Sequence, residues 1–99
     1  MSFVTAQPEA LTAAAGALRA IGSALAAQNA AAAAPTTGVI PAAADHVSIL
    51  TAAQFSAHAQ LYQQVSAQAI AIHEMFVSTL DFSSGSYAAT EAANAIAAG

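Results

Sequence analysis

Ninety-nine residues, 58% hydrophobic and 6% charged, make at most one small domain and are too apolar for intrinsic disorder. A net charge of -4, with one Arg and no Lys, excludes a phosphate-binding surface, because nucleic-acid affinity rests largely on clustered cations. Ordering each residue costs roughly 1.5 kcal/mol of conformational entropy. Alanine, about a third of the chain, offers little apolar area against that cost. With no cysteine and no metal-ligand cluster to staple a fold, an obligate second chain is the most economical source of the missing burial.

In chain order, Met1 to Ala10 lacks the basic n-region and apolar h-region of a cleavable signal peptide. Pro8 suits the first turn of a helix, where its missing N–H costs nothing, and Glu9 puts a negative charge at the positive end of the helix dipole. The first helix is predicted from Pro8 to about Ala34, roughly 40 Å at 1.5 Å per residue. Leu11, Ala14, Leu18, Ile21, Leu25 and Gln28 recur at three- and four-residue steps down one side. Ala13, Ala17, Ala20, Ala24, Ala27 and Ala31 form a second stripe, and Thr12, Gly16, Arg19 and Ser23 fill an arc expected to face water. The alanine stripe is either plain helix propensity at the surface or a small-residue face for close approach of another helix. Gly16 and Gly22 each weaken an isolated helix by about 1 kcal/mol, so contacts with other helices must supply the helicity.

A loop over residues 35–44 follows, marked by Pro35, Gly38 and Pro41. The uncharged stretch Ala20 to Ala44 is a poor membrane span, because Gln28, Asn29, two prolines and alanines replace strongly apolar residues. Asp45 is a candidate N-cap for a second helix over residues 46–82. Its apolar positions are Val47, Leu50, Leu61, Val65, Ile72 and Met75, flanked by Phe55, Tyr62, Ala69, Phe76 and Leu80. That arc is about 160° wide against roughly 100° for an ordinary surface helix, more than one neighbour can cover. The aromatic flank is either core of the hairpin or a patch given to a partner. Ser56, Gln60, Gln63, Glu74 and Asp81 lie opposite and are expected to be solvated, with Ile70 and Val77 as exceptions. Ser83 to Ser86 is expected to break the helix, leaving a small-residue tail from Tyr87 to Gly99.

His46, His58 and His73 lack the i, i+4 spacing that places two imidazoles on one helix face for a metal, so no cofactor or metal is expected. His58 falls inside the apolar arc as an expected hydrogen-bonded interface residue, and His46 and His73 sit at helix-start and boundary positions. Five acids and three histidines on long helices offer no concave pocket in which a catalytic set could converge. The expected fold is all-α, an antiparallel two-helix hairpin completing a helical bundle with a partner chain. The surface offered to that partner or between the helices is assigned to Leu11, Leu18, Ile21, Leu25, Phe55, Leu61, Tyr62, Val65, Ile72, Met75 and Phe76.

The opening Met1-Ser2-Phe3-Val4, the Pro8-Glu9 pair, the Pro-rich turn and the Tyr87-Ala-Ala-Thr-Glu91 tail together resemble the mycobacterial PE family over the whole chain, in its short form. That resemblance implies pairing with a PPE protein into an elongated, mainly helical heterodimer. It also implies recognition by a cytosolic chaperone through the PPE subunit and export by a type VII secretion system to the medium or cell surface. The family's export signal, a Tyr, three residues, then Asp or Glu after the second helix, is matched by Tyr87 and Glu91. On spacing alone that pair is an i, i+4 couple that would modestly support a tail helix. The family also implies an alternative role in outer-membrane permeability or nutrient uptake. The function expected is a non-enzymatic interaction module.

Overall fold

Two capping arrangements set where the helices begin. The Gln7 carbonyl accepts from the Ala10 and Leu11 amides at 3.0 and 3.4 Å, so Pro8 and Glu9 occupy the first turn as expected. Asp45 caps the second helix: its carboxylate accepts from the Ser48 amide at 2.8 Å and from the Ser48 hydroxyl at 3.0 Å. The computed structural model describes residues 4–99, and Met1, Ser2 and Phe3 of the opening signature lie outside them. The elements are α1 (Pro8–Thr37) and α2 (His46–Ala98), with no strand among the described residues. This is the all-α helical hairpin that the periodicity implied.

Both helices outrun their expected ends. α1 continues through Pro35 to Thr37 rather than stopping near Ala34. Proline removes one helical donor without ending the helix, and beyond it the hydroxyls of Thr36 and Thr37 donate to the carbonyls of Ala32 and Ala33 at 2.6 and 2.7 Å. The Gly38 amide closes the turn on Ala34 at 3.1 Å. α2 does not break at Ser83 to Ser86, and the expected tail is its last three turns. Serine and glycine are only mildly unfavourable in a helix, unlike proline, and Ser84 is buried and hydrogen-bonded to α1. Residues 83–86 are thus weak helix positions and not a stop.

Contacts divide between two compact units, each made of one stretch of α1 and one of α2. One runs up to Gly22 and resumes at His73; the other spans Ser23–Ile72. Pairing is antiparallel in both. Pro8 meets Ser84 and Leu18 meets His73 in the first, while Asn29 meets Ser66 in the second.

Among the described residues, buried side chains are few and small: Ala15, Ala52 and Val77 are the apolar ones, Asn29 and Ser84 the polar ones. In the first unit the facing positions are Leu11, Ala15, Leu18 and Gly22 against His73, Val77, Leu80 and Ser84, all at least half-buried. In the second they are Ala26, Asn29, Ala33 and Thr37 against Ala52, Ser56, Ala59, Gln63, Ser66 and Ile70. Steps of three and four residues on both helices are those of coiled-coil packing, here with small side chains in the seam.

Candidate partner interface

The seam reverses the expected orientation of α2. Ser56, Gln63 and Asp81, expected on a solvated side with Ile70 and Val77 as exceptions, belong to the side that packs on α1. Their large apolar neighbours are left outside. Phe55, Leu61, Tyr62, Val65, Ile72, Met75 and Phe76 are between 55% and 69% exposed. The physical reason is distance. Small residues let two helix backbones come close, whereas the bulky arc would hold them apart. Burial of apolar groups is a one-way rule, and the largest stripe is not obliged to face the nearest helix.

Within the second unit, Phe55, His58, Tyr62, Val65 and Ala69 each precede a seam residue by one position, about 100° around the helix, and Ile72 follows at the next step of three. They repeat the same steps of three and four, and Phe76 continues the register in sequence. α2 thus carries two parallel stripes, one occupied by α1 and one uncovered. Beside the uncovered stripe lies an open apolar recess of about 420 Å³, lined among others by Pro35, Val39, Phe55, His58 and Tyr62. His58 therefore sits at the rim of an apolar depression. On α1, Leu11 and Leu18 are half-buried against α2, while Ile21 and Leu25 remain exposed, as does the whole alanine stripe from Ala13 to Ala31.

Asn29 organises the second unit from α1. Its amide nitrogen donates to the Ser66 hydroxyl, its side-chain oxygen accepts from the Tyr62 phenol at 3.0 Å, and its backbone carbonyl accepts from Gln63 at 3.1 Å. A buried amide paired through both its nitrogen and its oxygen fixes which residues of α1 and α2 stand opposite, because any slip of register strands it. This residue was not singled out from sequence as a seam position. The available signal was that the polar residues Ser56, Gln63 and Ser66 recur with Ala52 and Ala59 at steps of three and four.

In the first unit, the His73 Nε2 stands 2.7 Å from the Leu18 carbonyl, so the expected boundary residue is a seam residue. Arg19, on the arc expected to face water, pairs with Asp81 and both remain partly exposed. Glu9 lines a shallow recess with Asp81, Gly85 and Ala88. Tyr87, about half exposed, and Glu91, half-buried, lie one turn apart on α2.

By length and composition α1 is long and apolar enough to cross a membrane, which the stretch Ala20 to Ala44 read alone had argued against. In the hairpin, its polar residues Arg19 and Asn29 are engaged by α2.

The sequence profile of the PE family matches residues 4–94. The chain is 66% identical over 98 residues to the PE family protein PE13 of Mycobacterium tuberculosis, a match covering 99% of each chain. It is 60% identical over 98 residues to PE8 of the same species, covering 99% of this chain and 36% of PE8. With the PE-PGRS family protein PE_PGRS33 the identity is 59% over 95 residues, covering 96% of this chain and 19% of that protein. The matched stretch thus recurs in relatives of very different length, and the chain belongs to the PE family.

Proposed function

We propose that this chain is a non-enzymatic interaction module, the PE subunit of a PE/PPE heterodimer exported by type VII secretion. The observation that carries this reading is the uncovered stripe of α2. Contiguous apolar surface of this kind marks a protein or membrane contact, and its coiled-coil register suits another helix. A PPE protein laid along Phe55, Tyr62, Val65 and Ile72 would complete a helical bundle in which each chain supplies part of the core. The heterodimer is held in the cytosol by a chaperone that binds the PPE subunit, then passes to the secretion machinery and reaches the medium or the cell surface.

Tyr87 and Glu91 serve as the export signal in this reading. A phenol and a carboxylate one helical turn apart form a compact pair that a receptor can read together. The test uses Tyr87→Ala and Glu91→Ala expressed in the native host. Co-purification with the PPE partner from the cytosol should be unchanged, and both variants should be missing from the culture filtrate. Normal export of both rejects the signal assignment. Loss of the complex in the cytosol means that the pair is structural.

The length and apolarity of α1 favour a second reading, in which the pair acts at the outer membrane in permeability or nutrient uptake. Leakage of dye from liposomes on addition of the purified heterodimer distinguishes it, since a purely soluble module leaves the vesicles sealed.

A further inference from the structure

The segment of α2 after Phe82 is a poor helix by composition, since Ser83, Ser84, Gly85 and Ser86 follow one another. It is helical nonetheless, and among the described residues Ser84 ties it to α1. Ser84 is 5% exposed and its hydroxyl donates to the Pro8 carbonyl at 2.8 Å. The Thr12 hydroxyl lies 2.6 Å from the Ser84 oxygen and 3.1 Å from the same carbonyl. Each hydroxyl has one proton. With that of Ser84 committed to Pro8, Thr12 donates to Ser84 or to Pro8, so two protons link the three groups.

Ser84 is also a seam position. The seam runs His73, Val77, Leu80, Ser84, and the next steps of three and four fall on Tyr87 and Glu91. α1 begins at Pro8, opposite Ser84, so these two positions keep the seam's phase beyond the start of α1. Gly85, whose missing side chain opens onto free space, adds no steric constraint that would hold this phase.

We infer that Pro8, Thr12 and Ser84 form a latch that fixes the rotation at which the last turns of α2 present Tyr87 and Glu91 to a reader. Pro8 and the tail pair are then two ends of one device, the first anchoring the helix and the second using its phase. Thr12 and Ser84 are positioning residues: they act through the helix and touch no receptor. The inference rests on the export role proposed for Tyr87 and Glu91.

The experiment uses the full chain recovered from the cytosol of the native host with the partner it carries. Thr12→Val combined with Ser84→Ala removes both hydroxyls at nearly constant volume. Amide exchange over residues 86–98 should quicken about tenfold, the order expected for one net hydrogen bond, while residues 60–70 keep their protection. Export of the same variant should fall, and Thr12→Ser with Ser84 intact should restore both readouts. A second variant leaves the latch alone: one Ala inserted between Ser86 and Tyr87 turns the pair by about 100° without altering the motif. It should co-purify normally and fail to be exported. Unchanged exchange over residues 86–98 in the double variant overturns the latch. If Tyr87→Ala is blocked while both latch and insertion variants are exported, presentation by phase is wrong and the export reading stands. If Tyr87→Ala is itself exported, the export reading fails and takes the presenting role with it.

Discussion

The His73 imidazole occupies the space that a side chain on Gly22 would need, with two ring atoms 2.7 Å from the position of a β-carbon there. The ring is held in place by its contact with the Leu18 carbonyl, so it cannot swing aside without losing a hydrogen bond. Gly22→Ala gains up to about 1 kcal/mol of helix propensity and meets roughly 1–3 kcal/mol of overpacking. Net destabilisation of about 1 kcal/mol is expected in thermal or urea unfolding at fixed concentration. Gly16→Ala, with nothing within 4 Å, should stabilise instead. A stabilised Gly22→Ala would refute the close approach, and His73→Ala should remove the penalty in a double-mutant cycle.

Asn29→Leu deprives Ser66 and Tyr62 of their partner and puts an apolar group in a polar seam. A loss of about 1–3 kcal/mol is expected, with Ser66→Ala costing less because one bond is lost and no large group is added. If Asn29→Leu proves at least as stable as the parent, the cluster is dispensable to the hairpin.

Val65→Asp and Gln63→Asp are expected to separate assembly from folding. Val65 is 63% exposed, so a carboxylate there remains hydrated in the hairpin and is buried only when a partner covers the stripe. Binding should weaken by several kcal/mol. Gln63→Asp removes the donor to the Asn29 carbonyl and sets a charge against it, so the hairpin itself should lose stability. Equal loss of partner binding with unchanged helicity in both variants would contradict the orientation of α2.

Asp45 caps α2 as an anion, and the amide and hydroxyl of Ser48 hold its carboxyl below the ordinary value of 3.8. A lowered value in the folded chain means that the cap contributes fully above 3.8 and fades as pH falls through the lower folded value. Exchange of the Ser48 amide should therefore quicken on acidification, relative to mid-helix amides. Asp45→Asn should keep the cap and lose this pH dependence; a Ser48 amide indifferent to acid would rule the charged cap out.

The two helices, the cap at Asp45, Pro8 in the first turn and the hairpin were legible in the sequence, because each follows from local chemistry. The excess of apolar surface over what one neighbouring helix covers was legible too. What escaped was the side of α2 that meets α1. A wheel weighted by hydrophobicity selects Phe55, Tyr62 and Val65, yet the hairpin closes on Ala52, Ala59, Gln63 and Ser66, which score poorly and pack closely. Ser84 escaped for a related reason: among Ser83, Gly85 and Ser86 it looks like one more weak helix position, and only its opposition to Pro8 sets it apart. Apolar size picks out Phe55, Tyr62, Val65 and Ile72, which lie exposed on α2, whereas Leu11 and Leu18 on α1 are half-buried against α2.

A hairpin whose buried apolar side chains, among the described residues, are Ala15, Ala52 and Val77 releases little hydrocarbon to water when it melts. Its unfolding heat capacity should be small for its length, and its calorimetric transition broad and shallow. The large heat-capacity change belongs instead to the step at which Phe55, Tyr62, Val65 and Ile72 are covered, so it should register in titration with a partner, with a melting temperature that climbs as the concentration of the complex is raised.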